Sequence, residues 1–217
     1  MNSNFWVQLV DYFSNNHESF LLALREHLVI SAIALMIAMI IGMPVGYLCA
    51  RYNNAEKFFV PVFQILRIIP SLAILFLFIP ILGTGITPAI VALVLLAIPS
   101  IIMNTLLGLK EVPSFMIETA YGLGMTEQQV FWKVTLPLAM PFILTGIKMG
   151  LIEIIASATL AAKIGAGGLG GIIFTGLGLN RMDLLIIGGV SVGLVSILAG
   201  LSLDLIEKSI VKYKYLK

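Results

Sequence analysis

Apolar and polar positions are unevenly distributed along this chain. Residues 28–50 carry no charge and stop at Arg51, and residues 68–109 are again uncharged. A membrane-crossing helix needs about 20 largely uncharged residues. The first run therefore predicts one span, and the second is too long for a single helix. Gly83-Thr84-Gly85 interrupts it with turn residues, which predicts a second span near 58–82 and a third near 86–109. A fourth is expected over about 141–162, carrying Lys148 and Glu153, and a fifth over 184–203. Pro44, Pro70, Pro80, Pro88 and Pro99 are expected to kink or end spans, which membrane bundles tolerate. Five spans place the two termini on opposite sides.

Three stretches fall outside these runs. Residues 1–27 read as an interfacial segment, with Trp6, Tyr12 and Phe13 suited to the headgroup level. Asp11, Glu18, Glu26 and the lack of a basic start argue against a cleaved leader. Residues 110–137 are polar, then glycine-broken, then aromatic. Ser114 can cap a short helix, which Gly122 and Gly124 weaken and end. Thr126 followed by Gln129 fits a capping box. A second helix should then run towards Val134, with Pro137 starting the next membrane segment. Met125, Val130, Phe131 and Trp132 are more apolar than a solvated loop requires. They either pack on the bundle surface or fill a groove in a partner. Residues 163–183 form a glycine-rich connection.

Composition agrees with a membrane protein. Of 217 residues, 59% are hydrophobic and 11% charged, and the mean hydropathy is +1.06. A soluble domain carries about twice that charged share. The formal net charge of +2 asks for no nucleic-acid partner, but the placement of the charges matters. With the N-terminus outside, the inner side holds Arg51, Lys57, Lys110, Lys133, Lys208, Lys212, Lys214 and Lys217, against Arg25, Lys163 and Arg181 outside. The positive-inside rule then predicts N-terminus out and C-terminus in. Residues 110–137 fall in the cytoplasm.

Candidate chemistry is sparse. Cys49 is the one cysteine, and His17 and His27 lack metal-site spacing, so no metal site and no cofactor are expected on this chain. No GxxxxGK[ST] phosphate loop occurs, so any ATP would be bound by another subunit. Gly165, Gly167, Gly168 and Gly170 match GxGxxG but follow a membrane helix rather than a strand. A tight, close-packed turn, re-entrant or not, is the expectation. Glu153 within span four and Arg67 on span two are ionisable residues in apolar surroundings, and each has either a functional or a structural part. Lys148 and Glu153 are five residues apart, about 140° around a helix, so they pair poorly. Asn104 is expected to hydrogen-bond between helices. Gly189, Gly193, Ser196 and Gly200 share one face of span five, for packing within the subunit or against another. No catalytic constellation is present, so the chain is not read as an enzyme.

The segment from Glu118 to Pro137 also resembles a family signature. Permeases of binding-protein-dependent ABC importers share the cytoplasmic pattern E-A-A-x3-G-x9-I-x-L-P. Here Glu118, Ala120, Gly124, Leu136 and Pro137 fall at its spacing, with Thr119 for Ala and Val134 for Ile. Glu26-His27-Leu28, Ile69-Pro70-Ser71-Leu72-Ala73, Asn104-Thr105 and the run from Ala158 to Gly170 are similar to the osmoprotectant (glycine betaine, carnitine, choline) uptake permeases. Arg67 departs from that family's usual neutral polar residue. The resemblance implies an all-α membrane protein, a five-transmembrane-helix type I ABC importer permease core in the bacterial cytoplasmic membrane. It implies coupling through Glu118, Ala120, Gly124, Phe131, Trp132, Leu136 and Pro137, and a pathway near Arg67, Pro70, Ser71, Asn104, Glu153 and Thr159. Partners would be cytoplasmic ATPase subunits holding ATP and Mg, an extracellular substrate-binding protein, a second permease subunit, identical or paralogous, and membrane lipid. Methionine-type amino-acid permeases, with a similar size and GAGGLG-like run, are the near rival. A secondary transporter would need no docking motif and would show internal repeats. A structural scaffold would leave Glu153 and the glycine-rich loop unexplained.

Overall fold

Every regular element in the computed structural model, which describes residues 5–210, is a helix. Helix α1 (Phe5–Arg51) is followed by α2 (Asn53–Leu66), α3 (Ser71–Leu77), α4 (Ile79–Leu82) and α5 (Ile86–Lys110). Next come α6 (Ser114–Gly122), α7 (Glu127–Val130), a π-helical turn (Phe131–Thr135), α8 (Leu136–Ala161), α9 (Leu169–Gly178) and α10 (Met182–Ile210). Four continuous helical stretches are long and apolar enough to cross a membrane: Trp6–Arg51, Ile86–Lys110, Glu127–Ile164 and Met182–Ile210. The broken pair of α2 with α3–α4 makes a fifth if it is one span.

Helix α5 is the centre. Ala89, Ala92, Leu93, Ala97, Ile101 and Ile102 are buried between α1 and α8. Such proximity needs small residues, because without water to expel, membrane helices associate by close van der Waals contact. At Gly46 of α1, an added Cβ would lie 2.7 Å from the Thr105 side chain and 2.9 Å from the Ile102 carbonyl oxygen. At Gly146 of α8 it would lie 2.6 Å from Asn104 and 2.9 Å from the Ser100 oxygen. On α1 the contact stripe runs Ile30, Ala34, Ala38, Gly42 and Gly46, close to one residue per helical turn. The opposite faces expose leucine, isoleucine and valine, as a lipid-facing surface requires.

Some expectations hold here and others are corrected. The N-terminal segment is helical from Phe5 and meets the first span across a kink at Asn16 (φ −128°, ψ 18°), in the helix-poor run Ser14-Asn15-Asn16. Tyr12 is buried against Leu184 and Ile187 of α10, while Trp6 remains exposed. The break expected at Pro70 is present: α2 and α3–α4 are bent by 100°. Pro70 is the physical reason. It sits at φ −56°, ψ 134° as the cap of α3, and a proline drives its predecessor out of helical geometry. Ser114 is the first residue of α6, and Pro113 stands at the cap with no side-chain hydrogen bond.

The fourth span starts earlier than expected. α7, the π turn and α8 join into one helical stretch to Ile164, and Pro137 lies in the first turn of α8 without ending it. A proline there costs little, because the wider π turn already interrupts the regular hydrogen-bond ladder. α10 runs past Leu203 to Ile210 and so carries Asp204 as well as Asp183. On α10, none of the described residues lies within 4 Å of a Cβ added at Gly189 or Gly193, so that part of the small-residue face does not pack against them. Lys212, Lys214 and Lys217, part of the charge asymmetry, lie outside the described residues.

Candidate functional site

The segment between α5 and α8 is built from strong local signals. α6 ends at Gly122, and Gly124 takes φ +80°, a left-handed geometry open to glycine. The chain then turns into α7 through a complete capping box. The Gln129 amide donates to the Thr126 hydroxyl at 3.4 Å, and the Gln129 side chain accepts from the Thr126 amide at 2.9 Å. Ala120 and Val130 are buried beneath. The π turn then carries Phe131 and Trp132.

These two aromatics divide. Phe131 packs edge-on against Tyr47 of α1, with centroids 5.3 Å apart. Trp132 meets Phe131 edge-on but stays 65% exposed. Arg51, at the end of α1, pairs with Glu127 at 2.6 Å. Lys110 pairs with Glu56 at 2.5 Å, tying α5 to α2 on this side of the bundle. Glu118 is exposed. Phe115 and Leu123 are exposed at 62% and 79%, and sequence reasoning missed both. Their signal was present, since each is a large apolar residue beside a turn in an otherwise polar stretch. A cleft of about 650 Å³ opens between the end of α1 and this segment.

The opposite end holds the glycine-rich loop. Gly165, Gly167 and Gly168 adopt φ of +83°, +78° and +79°. The Gly168 amide donates to Glu26 Oε2 at 2.9 Å. The His27 ring is fully buried, with Nε2 at 3.1 Å from the Ile155 carbonyl oxygen of α8. A Cβ at Gly170 would lie 2.0 Å from the Thr159 oxygen, so the loop is pressed onto the end of α8. The Gly85 amide reaches the Ile164 carbonyl at 2.6 Å. α1, the α4–α5 turn, α8 and α9 thus meet around these glycines. Thr159 is brought together with Gly170, and Glu26 and His27 with Gly168. The Glu26-His27-Leu28 motif marked those two residues, but nothing local said what they would hold.

The remaining pathway candidates are dispersed. Arg67, Pro70 and Ser71 lie at the break between α2 and α3, and Arg67 is exposed. Asn104 donates to the Ser100 carbonyl of its own helix at 2.9 Å and reaches the Met149 sulfur of α8 at 3.8 Å, so its main bond is not interhelical. Glu153 is exposed in this chain and accepts from the Ser157 hydroxyl at 3.3 Å. Lys148 pairs instead with Asp204 of α10 at 2.6 Å. Among the described residues no hydrogen bond or ion pair joins two of these six pathway candidates. None of the described residues forms a cluster able to ligate a metal ion. Phe174, an aromatic face on α9, is already covered by the Lys163 ammonium at 4.3 Å.

This bundle of long apolar helices, with an exposed capped segment at one end, is that of a multi-pass membrane protein. Residues 42–212 match the model of the binding-protein-dependent transport system inner membrane component, and the chain belongs to that family. It is 38% identical to the carnitine transport permease protein OpuCB of Listeria monocytogenes, over 92% of this chain and 91% of that one. It is 37% identical to the glycine betaine/carnitine/choline transport system permease protein OpuCB of Bacillus subtilis, over 94% of each. Among solved structures, it is similar to a chain of the inward-facing MetNI methionine ABC transporter, with a TM-score of 0.72, 26% identity, and 85% of this chain and 93% of that one covered. An amino acid ABC transporter crystallised with histidines shares the fold, with a TM-score of 0.76 at 20% identity, over 96% of this chain and all of that one. The protein is therefore an inner-membrane ABC transport permease subunit of all-helical, type I importer architecture.

Proposed function

We propose that this chain is the transmembrane subunit of an ATP-driven importer for quaternary-ammonium osmoprotectants such as glycine betaine, carnitine and choline. The observation that carries this reading is the similarity to carnitine and glycine betaine permeases along more than nine-tenths of both chains. In this reading the broken pair α2 with α3–α4 is one span. That makes five, with the N-terminus outside and the C-terminus in the cytoplasm.

The segment from Glu118 to Pro137 then lies in the cytoplasm and docks on a separate ATPase subunit that holds ATP and Mg. Gly124 and the capped α7 make it a stiff lever. Leu123, Phe115 and Trp132 are its exposed apolar contacts, the kind of anchor that fills a partner's groove. An extracellular binding protein delivers the substrate beside the glycine-rich loop. A second permease covers the far wall of a pathway that passes Arg67, Ser71, Asn104, Glu153 and Thr159.

The test has two parts. The ATPase that co-purifies with this chain should be lost on Leu123→Ala with Trp132→Ala, with thermal stability kept. Undiminished association and ATP-dependent uptake in that variant would refute the coupling role. Vesicles containing the complex should take up labelled glycine betaine or carnitine and not methionine. The second reading, an amino-acid importer, is favoured by the likeness to the methionine transporter, and methionine uptake in the same vesicles would establish it instead.

A further inference from the structure

The cleft between the end of α1 and the coupling segment has a chemistry of its own. Four aromatic rings line it: Tyr47 from α1, Tyr121 from α6, and Phe131 and Trp132 from the π turn. Phe131 stands at 71° to Tyr47 and at 82° to Trp132, so neighbouring rings form walls near right angles. A quaternary ammonium carries no N–H to donate, and the faces of such aromatic corners attract it. The rim carries one charge of each sign, Arg51 and Glu127. Their side chains are 55% and 68% exposed, and an exposed pair of this kind opens at little cost. At about 650 Å³, the cleft falls in the size range of small-molecule sites.

Resting on the proposed importer function, we infer that this cleft binds the zwitterionic solute on the cytoplasmic side. The ligand's carboxylate takes the Arg51 guanidinium in place of Glu127. The freed Glu127 carboxylate and the rings of Tyr47 and Tyr121 surround its quaternary ammonium. Bound there, the solute bridges α1 to the coupling segment and holds the segment in one position. Accumulated product then slows its own further import. A zwitterion fits better than a simple cation, because only the zwitterion satisfies both members of the separated ion pair.

The experiment uses proteoliposomes holding the complete transporter, fed from outside with binding protein and labelled substrate and loaded inside with ATP. Internal glycine betaine should slow initial uptake several-fold, and internal choline, which lacks the carboxylate, should slow it less. Arg51→Gln should abolish the advantage of glycine betaine over choline, a change of about tenfold in the effective concentration. Tyr121→Leu should weaken both ligands. Inhibition by glycine betaine at the wild-type concentration in both variants would overturn the inference. Phosphatidylethanolamine offers the same two charges from the bilayer. If it slows uptake relative to phosphatidylglycerol vesicles without any internal solute, and Arg51→Gln relieves this, the cleft holds a lipid headgroup and the inference fails. Equilibrium dialysis of labelled glycine betaine against the permease–ATPase complex, prepared without binding protein, gives a readout independent of transport. Wild-type preference for glycine betaine over choline should vanish in Arg51→Gln, and its persistence would sink the site. An absence of quaternary-ammonium uptake in wild-type vesicles would refute the importer reading, whereas the dialysis result tests the cleft.

Discussion

Thr126 and Glu26 each hold one end of the molecule through a hydrogen bond to the backbone. Thr126 closes the capping box of α7, and replacing such a cap with alanine costs about 1 kcal/mol. Thr126→Ala should therefore raise hydrogen exchange at residues 127–131 about fivefold, with the membrane core unchanged. Unaltered protection there would mean the cap does not hold the segment. Glu26 accepts from the Gly168 amide, 142 positions away in sequence. An ionised carboxylate accepts more strongly than a neutral amide oxygen. Glu26→Gln should lower the thermal midpoint modestly, loosen the loop over 165–170, and reduce transport more than it reduces ATPase docking. Hydrogen exchange of the Gly168 amide and the co-purification assay separate these effects.

At the scale of elements, glycine placement decides which helices approach each other. A Cβ at Gly146 meets both Asn104 and the Ser100 carbonyl, so α5 and α8 would be forced apart. Gly146→Val should destabilise the fold by about 1–3 kcal/mol or more. Gly189→Val, on the open stretch of α10, should leave the stability of the single chain unchanged. Thermal unfolding in detergent checks the contrast, and equal losses at both positions would contradict the packing described. The Lys148–Asp204 pair joins α8 to α10. Breaking one member leaves a charge without its partner in apolar surroundings, which costs more than removing both. Lys148→Met alone should destabilise the protein, and adding Asp204→Leu should recover much of the loss. A double-mutant cycle should return a coupling of about 1 kcal/mol.

For the whole molecule, hydropathy and local capping were legible because both are written in neighbouring residues. The uncharged runs marked the crossing helices, and the Glu118-to-Pro137 spacing marked the segment between α5 and α8. The same spacing, with the glycine-rich run, carried the family. Glycine and proline marked turns, and Pro70 marked the place of the 100° bend though not its angle. Composition counted enough apolar residues for a second span, while one ring set the direction of the backbone. The ends of helices were also misplaced where apolar character faded before helical geometry did. α10 extends through Asp204, and α8 begins ahead of Pro141 on a π turn. What only the tertiary structure decided are the meetings of distant residues. They include Glu26 with Gly168, His27 with Ile155, Lys148 with Asp204, and Tyr47 with Phe131. Each pairs groups tens of residues or more apart in the chain. Such a pair forms only where packing brings its two elements together. The local pattern thus determined that this is a membrane bundle with a capped, aromatic segment between α5 and α8. Packing against a central helix determined which side chains clasp the glycine loop and which rings wall the cleft, because those contacts depend on how closely the helices approach.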